Sequence, residues 1–192
     1  MKFNIKSHLY TNNWFTFEKF YKEVAYDPNI FTAVEVGVFK GFSISYLVRE
    51  MIKAGKKDFR VWAVDVWEDW KSSTLPEQPY IYEIYNFILN RNGVRDYIVD
   101  IKRESHLAAK MFNDNSLDFV FIDADHDAFN VNRDIVSWAS KVKKGMVLAG
   151  HDYYLNDSNG NDVKAAVDEL DKNGFFPNGF EIREGNIWIA RM

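Results

Sequence analysis

Ala33-Val34-Glu35-Val36-Gly37, continued by Val38-Phe39-Lys40-Gly41, is a short apolar run that carries a carboxylate near its end and then turns through two glycines. Three further runs end in polar groups: Val61-Trp62-Ala63-Val64 on Asp65, Phe119-Val120-Phe121-Ile122 on Asp123, and Met146-Val147-Leu148-Ala149-Gly150 on His151-Asp152. Continuous Val, Ile, Leu, Phe and Ala runs mark parallel strands buried on both faces. Open α/β sheets bind ligands just beyond the carboxyl ends of such strands. The four polar ends are therefore expected to converge on one crevice.

Outward from these runs, the periodicity alternates between strand and helix. Helical spacing is expected over Trp14 to Tyr26, with Thr16 as N-cap and Pro28 as the stop, and over Phe42 to Ala54, Ile81 to Asn90, Leu107 to Phe112, Phe129 to Val142 and Val163 to Lys172. Strands are expected at Phe31 to Val36, Phe59 to Val66, Tyr97 to Lys102, Leu117 to Ile122 and Met146 to Ala149. Glu184-Gly185-Asn186 reads as the turn of a hairpin between Gly179–Arg183 and Ile187–Arg191. The expected fold is a three-layer α/β/α sandwich, built on a Rossmann-like, mostly parallel seven-stranded sheet with an antiparallel C-terminal hairpin strand at its edge. Residues 1–192 are expected to form a single domain, with 1–28 as an N-terminal helical segment. The segments Trp67 to Pro79 and Tyr153 to Asn161 read as loops above the sheet.

A net charge of -4 provides no broad attraction to phosphate backbones, which argues against a nucleic-acid partner. The absence of cysteine excludes disulfides and thiolate zinc sites and fits a cytoplasmic setting. No apolar run is long enough to span a bilayer, and the first ten residues carry no secretory pattern.

Gly37 and Gly41 allow a tight turn and close backbone approach to a ligand, and the free N–H groups of the helix starting near Phe42-Ser43 favour an anionic group there. The spacing is not that of the dinucleotide G-x-G-x-x-G motif, so NAD is the weaker inference. Asp65, at the end of the second strand, is placed to accept both hydroxyls of a ribose. Asp123 and Asp152 offer the oxygen ligands that a hard divalent cation needs. His126 titrates near neutrality and is a candidate general base, unless Asp125 and His126 merely cap the helix near Phe129. Trp67, Trp70, Tyr153 and Tyr154 could wall an acceptor site.

Taken in order, Glu35-x-Gly37-x-x-x-Gly41, Ala63-Val-Asp65-x-Trp67, Arg103-Glu104-Ser105, Asp118 to His126 and Lys144 to Tyr153 resemble class I S-adenosylmethionine-dependent methyltransferases, more closely the small-molecule and sugar O-methyltransferase-like group. The resemblance covers most of the chain. It implies that Glu35, Gly37 and Gly41 hold the methionine end of S-adenosyl-L-methionine, with Ser43 at the adjoining helix start. It also places Asp65 at the ribose, Trp67 with Glu104 and Ser105 at the adenine, and Asp123 beside the cofactor. In the metal-dependent members, three acidic or amide groups hold Mg2+, which acidifies a substrate hydroxyl. The corresponding positions here are Asp123, His151 and Asp152, where the histidine replaces an acid and shifts preference towards Mn, Fe or Zn, so Mg2+ and Mn2+ both remain open. Lys144-Gly145 stands where a Pro-Gly or Gly-Gly turn is common.

The implied activity is methyl transfer to a hydroxyl of a small molecule, such as a sugar or glycosylated metabolite, with His126 and Asp123 as catalytic groups. Two alternatives stand beside it: a non-haem metal oxidative enzyme using His126, His151 and an Asp, and a non-catalytic cofactor-binding module. The short chain and aromatic N-terminal segment suggest a homo-oligomer that encloses the acceptor.

Overall fold

The computed structural model describes residues 14–68, 80–155 and 162–192. Trp70 and most of both proposed loops, and His8, lie outside the described residues.

The chain runs α1 (Glu18–Tyr26), β1 (Thr32–Val36), α2 (Phe42–Lys53), β2 (Arg60–Asp65), α3 (Ile81–Arg91), a 3-10 turn (Arg95–Tyr97), β3 (Ile98–Lys102), α4 (Ser105–Ala109), β4 (Leu117–Ile122), α5 (Ala128–Ala139), β5 (Val142–Gly150), α6 (Val163–Lys172), β6 (Phe180–Arg183) and β7 (Ile187–Arg191). One seven-stranded sheet joins them in the order β3-β2-β1-β4-β5-β7-β6. β1 pairs in parallel with β2 and β4, and β5 in parallel with β4, while β7 runs antiparallel to both β5 and β6.

Side chains alternate across each strand, and the alternation divides the core into two layers. Ala33, Phe119 and Phe121 pack towards α1, α2 and α3, while Val34, Val36, Val120 and Ile122 pack towards α4, α5 and α6. Two helical layers around one sheet match the expected sandwich.

The antiparallel strand is not at the edge, as its sequence expectation had it. Ile187 to Ala190 is buried throughout, so β7 needs a neighbour on each side, whereas β6 alternates half-buried and exposed residues and suits the rim. β5 also begins earlier than expected. Its pairing with β4 is irregular where Leu117 faces Val142 but Phe119 faces Val147, so Lys144-Gly145 forms a bulge within the strand instead of a preceding turn. α1 starts at Glu18 with Phe17 as its uncapped first flank, which displaces Thr16 from the N-cap position. Its end is as expected: Asp27 is extended ahead of Pro28, whose ring disfavours a helical predecessor. No helix among the described residues is long and apolar enough to cross a membrane.

Candidate active site

The order of strands reverses between β1 and β4, and a cavity of about 1290 Å³ opens there beyond their carboxyl ends. Gly37, Asp65, Asp123, His151 and Asp152 all border it, so the four strand ends do converge.

Gly37 has φ +83°, and a Cβ there would overlap the Asp123 carbonyl oxygen; Gly41 has φ +78°, and a Cβ there would lie 2.6 Å from the Tyr85 ring. The sequence reading assigned both glycines to a tight turn and to ligand approach. Close packing also requires them: β1 turns directly against the end of β4, and the start of α2 lies on α3. The same turn still walls the cavity.

Asp65 pins this loop. Its Oδ2 accepts from the Phe39 N–H at 2.8 Å and its Oδ1 from the Trp67 N–H at 2.7 Å. The Val38 and Val66 backbone N–H groups also act on this carboxylate, and Asp65 borders the cavity. Burial raises the Asp65 pKa, against the pull of these backbone donors. Next to it, the Arg103 N–H donates to the Asp65 carbonyl at 3.1 Å, which brings Glu104 and Ser105 to the cavity wall.

Two expected cofactor contacts lie elsewhere. Glu35 is 2% exposed and does not border the cavity; its carboxyl accepts from Tyr21 Oη at 2.8 Å and from the Ser43 hydroxyl. It faces the α1 and α2 side of the sheet, where burial pushes its pKa up to about 8 despite those two hydrogen bonds. Glu35 thus positions Ser43, which does border the cavity. Trp67 is also buried, its ring against Tyr82 and Tyr85 and its indole N–H donating to the Phe39 carbonyl at 3.2 Å. It braces the loop from behind and cannot stack on a ligand in the cavity.

The acceptor wall is likewise revised. Tyr153 is buried and donates to Asp168 at 2.6 Å, and exposed Tyr154 packs edge-on against it; neither borders the cavity. Trp14, Phe15, Phe17, Phe39 and Phe42 border it instead. Phe15 and Phe17 also pack on Tyr21, and Phe17 on Phe121. The described N-terminal aromatics therefore pack on this chain's own core and line its cavity.

Four titratable groups from two strand ends meet at the far side. His126 Nε2 lies 3.1 Å from Asp152 Oδ2 and 4.0 Å from Asp123 Oδ1. His151 Nδ1 lies 3.3 Å from Asp152 Oδ1 and 3.6 Å from Asp123 Oδ1. His126 is free for this role because Asp127, not Asp125 or His126, caps α5, accepting from the Asn130 N–H at 3.0 Å. Burial works to lower both imidazole pKa values, but hydrogen bonds and charge from the two aspartates prevail and raise His126 to about 9 and His151 to about 10. The carboxyls of Asp123 and Asp152 stay below their usual range, the imidazolium partners outweighing burial.

This arrangement has a thermodynamic signature in the metal-free protein. Histidines whose folded pKa is raised contribute stability that is complete below the unfolded value of about 6.5 and disappears as pH passes the folded value. Thermal melts in the presence of a chelator should therefore show Tm falling between pH 7 and pH 10. A Tm that is flat over that window would contradict the paired cluster.

Asp123, His126 and Asp152 each offer one donor atom, and the three atoms lie within 4.8 Å of one another. His126, expected as a base alone, thus takes the place in the donor set that the sequence assigned to His151. His151 stands behind, 9% exposed, with Nε2 3.4 Å from the Thr16 hydroxyl and its ring 4.8 Å from Phe17. This compact group holds one histidine, and His151 adds a second imidazole against the same two carboxylates.

The sequence reading missed Thr16, Phe17 and Asp134 at the cavity. Thr16 was legible only as a helix cap, Phe17 only as part of an aromatic helix pattern, and Asp134 as an ordinary polar residue in mid-helix.

The strand order, the switch-point cavity and the glycine turn define a class I methyltransferase fold. Residues 34–153 match the methyltransferase domain family, and the chain belongs to it. No curated protein matches the chain in sequence. Solved structures do. Cofactor-bound Rv0187 from MTB is 22% identical over 91% of this chain and 78% of its own, with a TM-score of 0.65. The Bacillus cereus O-methyltransferase in complex with SAH is 16% identical, with 91% and 80% covered and a TM-score of 0.64. The O-methyltransferase TomG from Streptomyces achromogenes, involved in tomaymycin synthesis and solved with SAM, is 15% identical, with 91% and 78% covered and a TM-score of 0.61.

Proposed function

We propose that this protein transfers the methyl group of S-adenosyl-L-methionine to a hydroxyl of a small molecule, a sugar or glycosylated metabolite being one such class. The observation that carries the reading is that a ribose-type carboxylate, Asp65, and a proton-handling cluster, Asp123, His126 and Asp152, face one cavity across the glycine turn. The bound states of the SAH and SAM complexes among the structural neighbours support the choice of cofactor.

Asp65 receives the ribose hydroxyls, Glu104 and Ser105 border the base, and Ser43 with the Gly37–Gly41 backbone meets the methionine end. Asp123, flanking the glycine turn, closes the cofactor side against the acceptor. In the reaction the acceptor oxygen forms a bond to the methyl carbon as the carbon–sulfur bond breaks, and the sulfonium leaves as a neutral thioether. The hydroxyl proton passes to the His126 imidazole in its neutral form, which in the metal-free protein predominates above about pH 9. Holding the two reactants in line, in a cavity walled by Phe17, Phe39 and Phe42, provides most of the acceleration.

Two carboxylates and one imidazole suit a divalent cation of intermediate softness, Mn2+ more than Mg2+. Asp123, His126 and Asp152 would hold it, with His151 orienting the two carboxylates from behind. When bound, such an ion makes the acceptor hydroxyl more acidic. With no ion, the aspartates keep His126 protonated at neutral pH, so its service as a free base is confined to more alkaline conditions than its sequence suggested.

A net charge of -4 supports a small acceptor over a nucleic acid, and the absence of cysteine supports a cytoplasmic setting. The test is incubation with methyl-labelled S-adenosylmethionine, Mn2+ and a panel of phenols, catechols and saccharides. Label recovered as an O-methyl ether is the expected result; label on no acceptor hydroxyl, or only on nitrogen, would contradict it.

A further inference from the structure

Asp152 lies just beyond the last paired residues of β5. The antiparallel register sets Ala149 against Ile189 and Gly150 against Trp188, so two residues further on Asp152 stands opposite Asn186, in the turn between β6 and β7. Neither residue continues the ladder. Asp152 has φ +57° and Asn186 φ +66°, both in the left-handed region that few L-residues occupy. Such a conformation costs free energy and persists where the surroundings fix it.

Asn186 supplies that fixing for Asp152. Its carbonyl oxygen accepts from the Tyr153 N–H at 3.1 Å and its Oδ1 from the Tyr154 N–H at 2.8 Å, so the two residues directly after Asp152 are held by one partner. A backbone N–H only donates, so the side-chain atom facing Tyr154 is the oxygen and the amide orientation is settled. Ahead of Asp152, the His151 N–H donates to the Ile122 carbonyl at 3.1 Å, and the Leu155 N–H closes the turn on the Asp152 carbonyl at 2.8 Å. The backbone carrying the Asp152 carboxyl is thereby tied to β4 on one side and to the hairpin turn on the other. Asn186 borders the same cavity as Asp152 and His126. The position asks for two properties at once, a positive φ and a side-chain oxygen within reach of Tyr154. Glycine meets only the first, whereas asparagine and aspartate meet both.

We propose that Asn186 is a positioning residue for a divalent cation, acting through Asp152: its hydrogen bonds to Tyr153 and Tyr154 hold the turn that keeps Asp152 Oδ2 3.1 Å from His126 Nε2. The proposal rests on the metal reading given above. Groups that orient metal ligands without touching the ion are worth about 10–100-fold in metal affinity.

The test is titration of the chelator-stripped protein with Mn2+, followed by the electron paramagnetic resonance signal of the free ion, on the wild type, Asn186→Gly and Asn186→Asp. Glu184→Gln, at an exposed position of the same turn, is the control. S-adenosylhomocysteine affinity is measured on each. Expected is about 10-fold weaker Mn2+ binding by Asn186→Gly with S-adenosylhomocysteine affinity unchanged, and wild-type or tighter Mn2+ binding by Asn186→Asp and Glu184→Gln. The charge added in Asn186→Asp attracts a cation, so it cannot itself produce a loss. Wild-type Mn2+ affinity in a folded Asn186→Gly overturns the proposal, as does a loss in Asn186→Asp or Glu184→Gln as large as that in Asn186→Gly. An equal loss of S-adenosylhomocysteine affinity in Asn186→Gly, the mark of a generally loosened fold, overturns it too. Each of these leaves the metal reading intact. Failure of the wild type to take up Mn2+ overturns both.

Discussion

Asp123→Asn should lower methyl transfer by about 10³-fold and lower the neutral-pH Tm of the metal-free protein, while S-adenosylhomocysteine affinity changes little. The size of the effect follows from the number of groups that depend on this carboxylate. It lies beside both histidines and forms one corner of the donor trio with His126 and Asp152. An amide keeps the shape but loses the charge, so it neither holds the imidazolium pair nor serves as a strong ligand to a divalent ion. Single-turnover rates with saturating cofactor separate the step from binding. A variant that retains wild-type turnover would remove Asp123 from the chemistry.

Gly37→Ala is the second large effect and acts through the backbone. The position has φ +83°, and the added carbon would overlap the carbonyl oxygen of Asp123. A left-handed conformation costs an L-residue about 1–2 kcal/mol, and forcing an atom into a packed site about 1–3 kcal/mol more. The β1 turn and the end of β4 are held together by the Asp123 N–H to Val36 carbonyl bond of 2.8 Å, so relief must move Asp123 itself. Denaturant unfolding should show a loss of about 3 kcal/mol, with cofactor binding weakened in the fraction that stays folded. Gly55→Ala is a control, since its added carbon meets nothing within 4 Å and isolates the backbone term.

Element order and the convergence of strand ends were legible because both rest on continuous apolar runs closing on polar residues. The direction each side chain takes was less so. Glu35 and Val36 are neighbours in sequence but lie on opposite faces of the sheet, which places the Glu35 carboxyl against Tyr21 and away from the cavity. Trp67 follows Asp65 by two residues, yet φ of +45° at Trp67 turns it back onto Tyr85. The central place of β7 depended on comparing its four buried residues with the alternating pattern of β6. Asp134 gave no signal at all: that a mid-helix carboxyl borders the cavity depends on tertiary packing alone.

The central claim is that the crevice at the β1–β4 switch point is a nucleoside cofactor site read by Asp65. Calorimetric titration of the chelator-treated protein with S-adenosyl-L-methionine, alongside Asp65→Ala, tests it most directly. The account predicts saturable micromolar binding by the wild type and a loss of about 100-fold or more in the variant, the worth of two charge-assisted hydrogen bonds. Absence of saturable binding by the wild type, or equal binding by a folded Asp65→Ala, would contradict it.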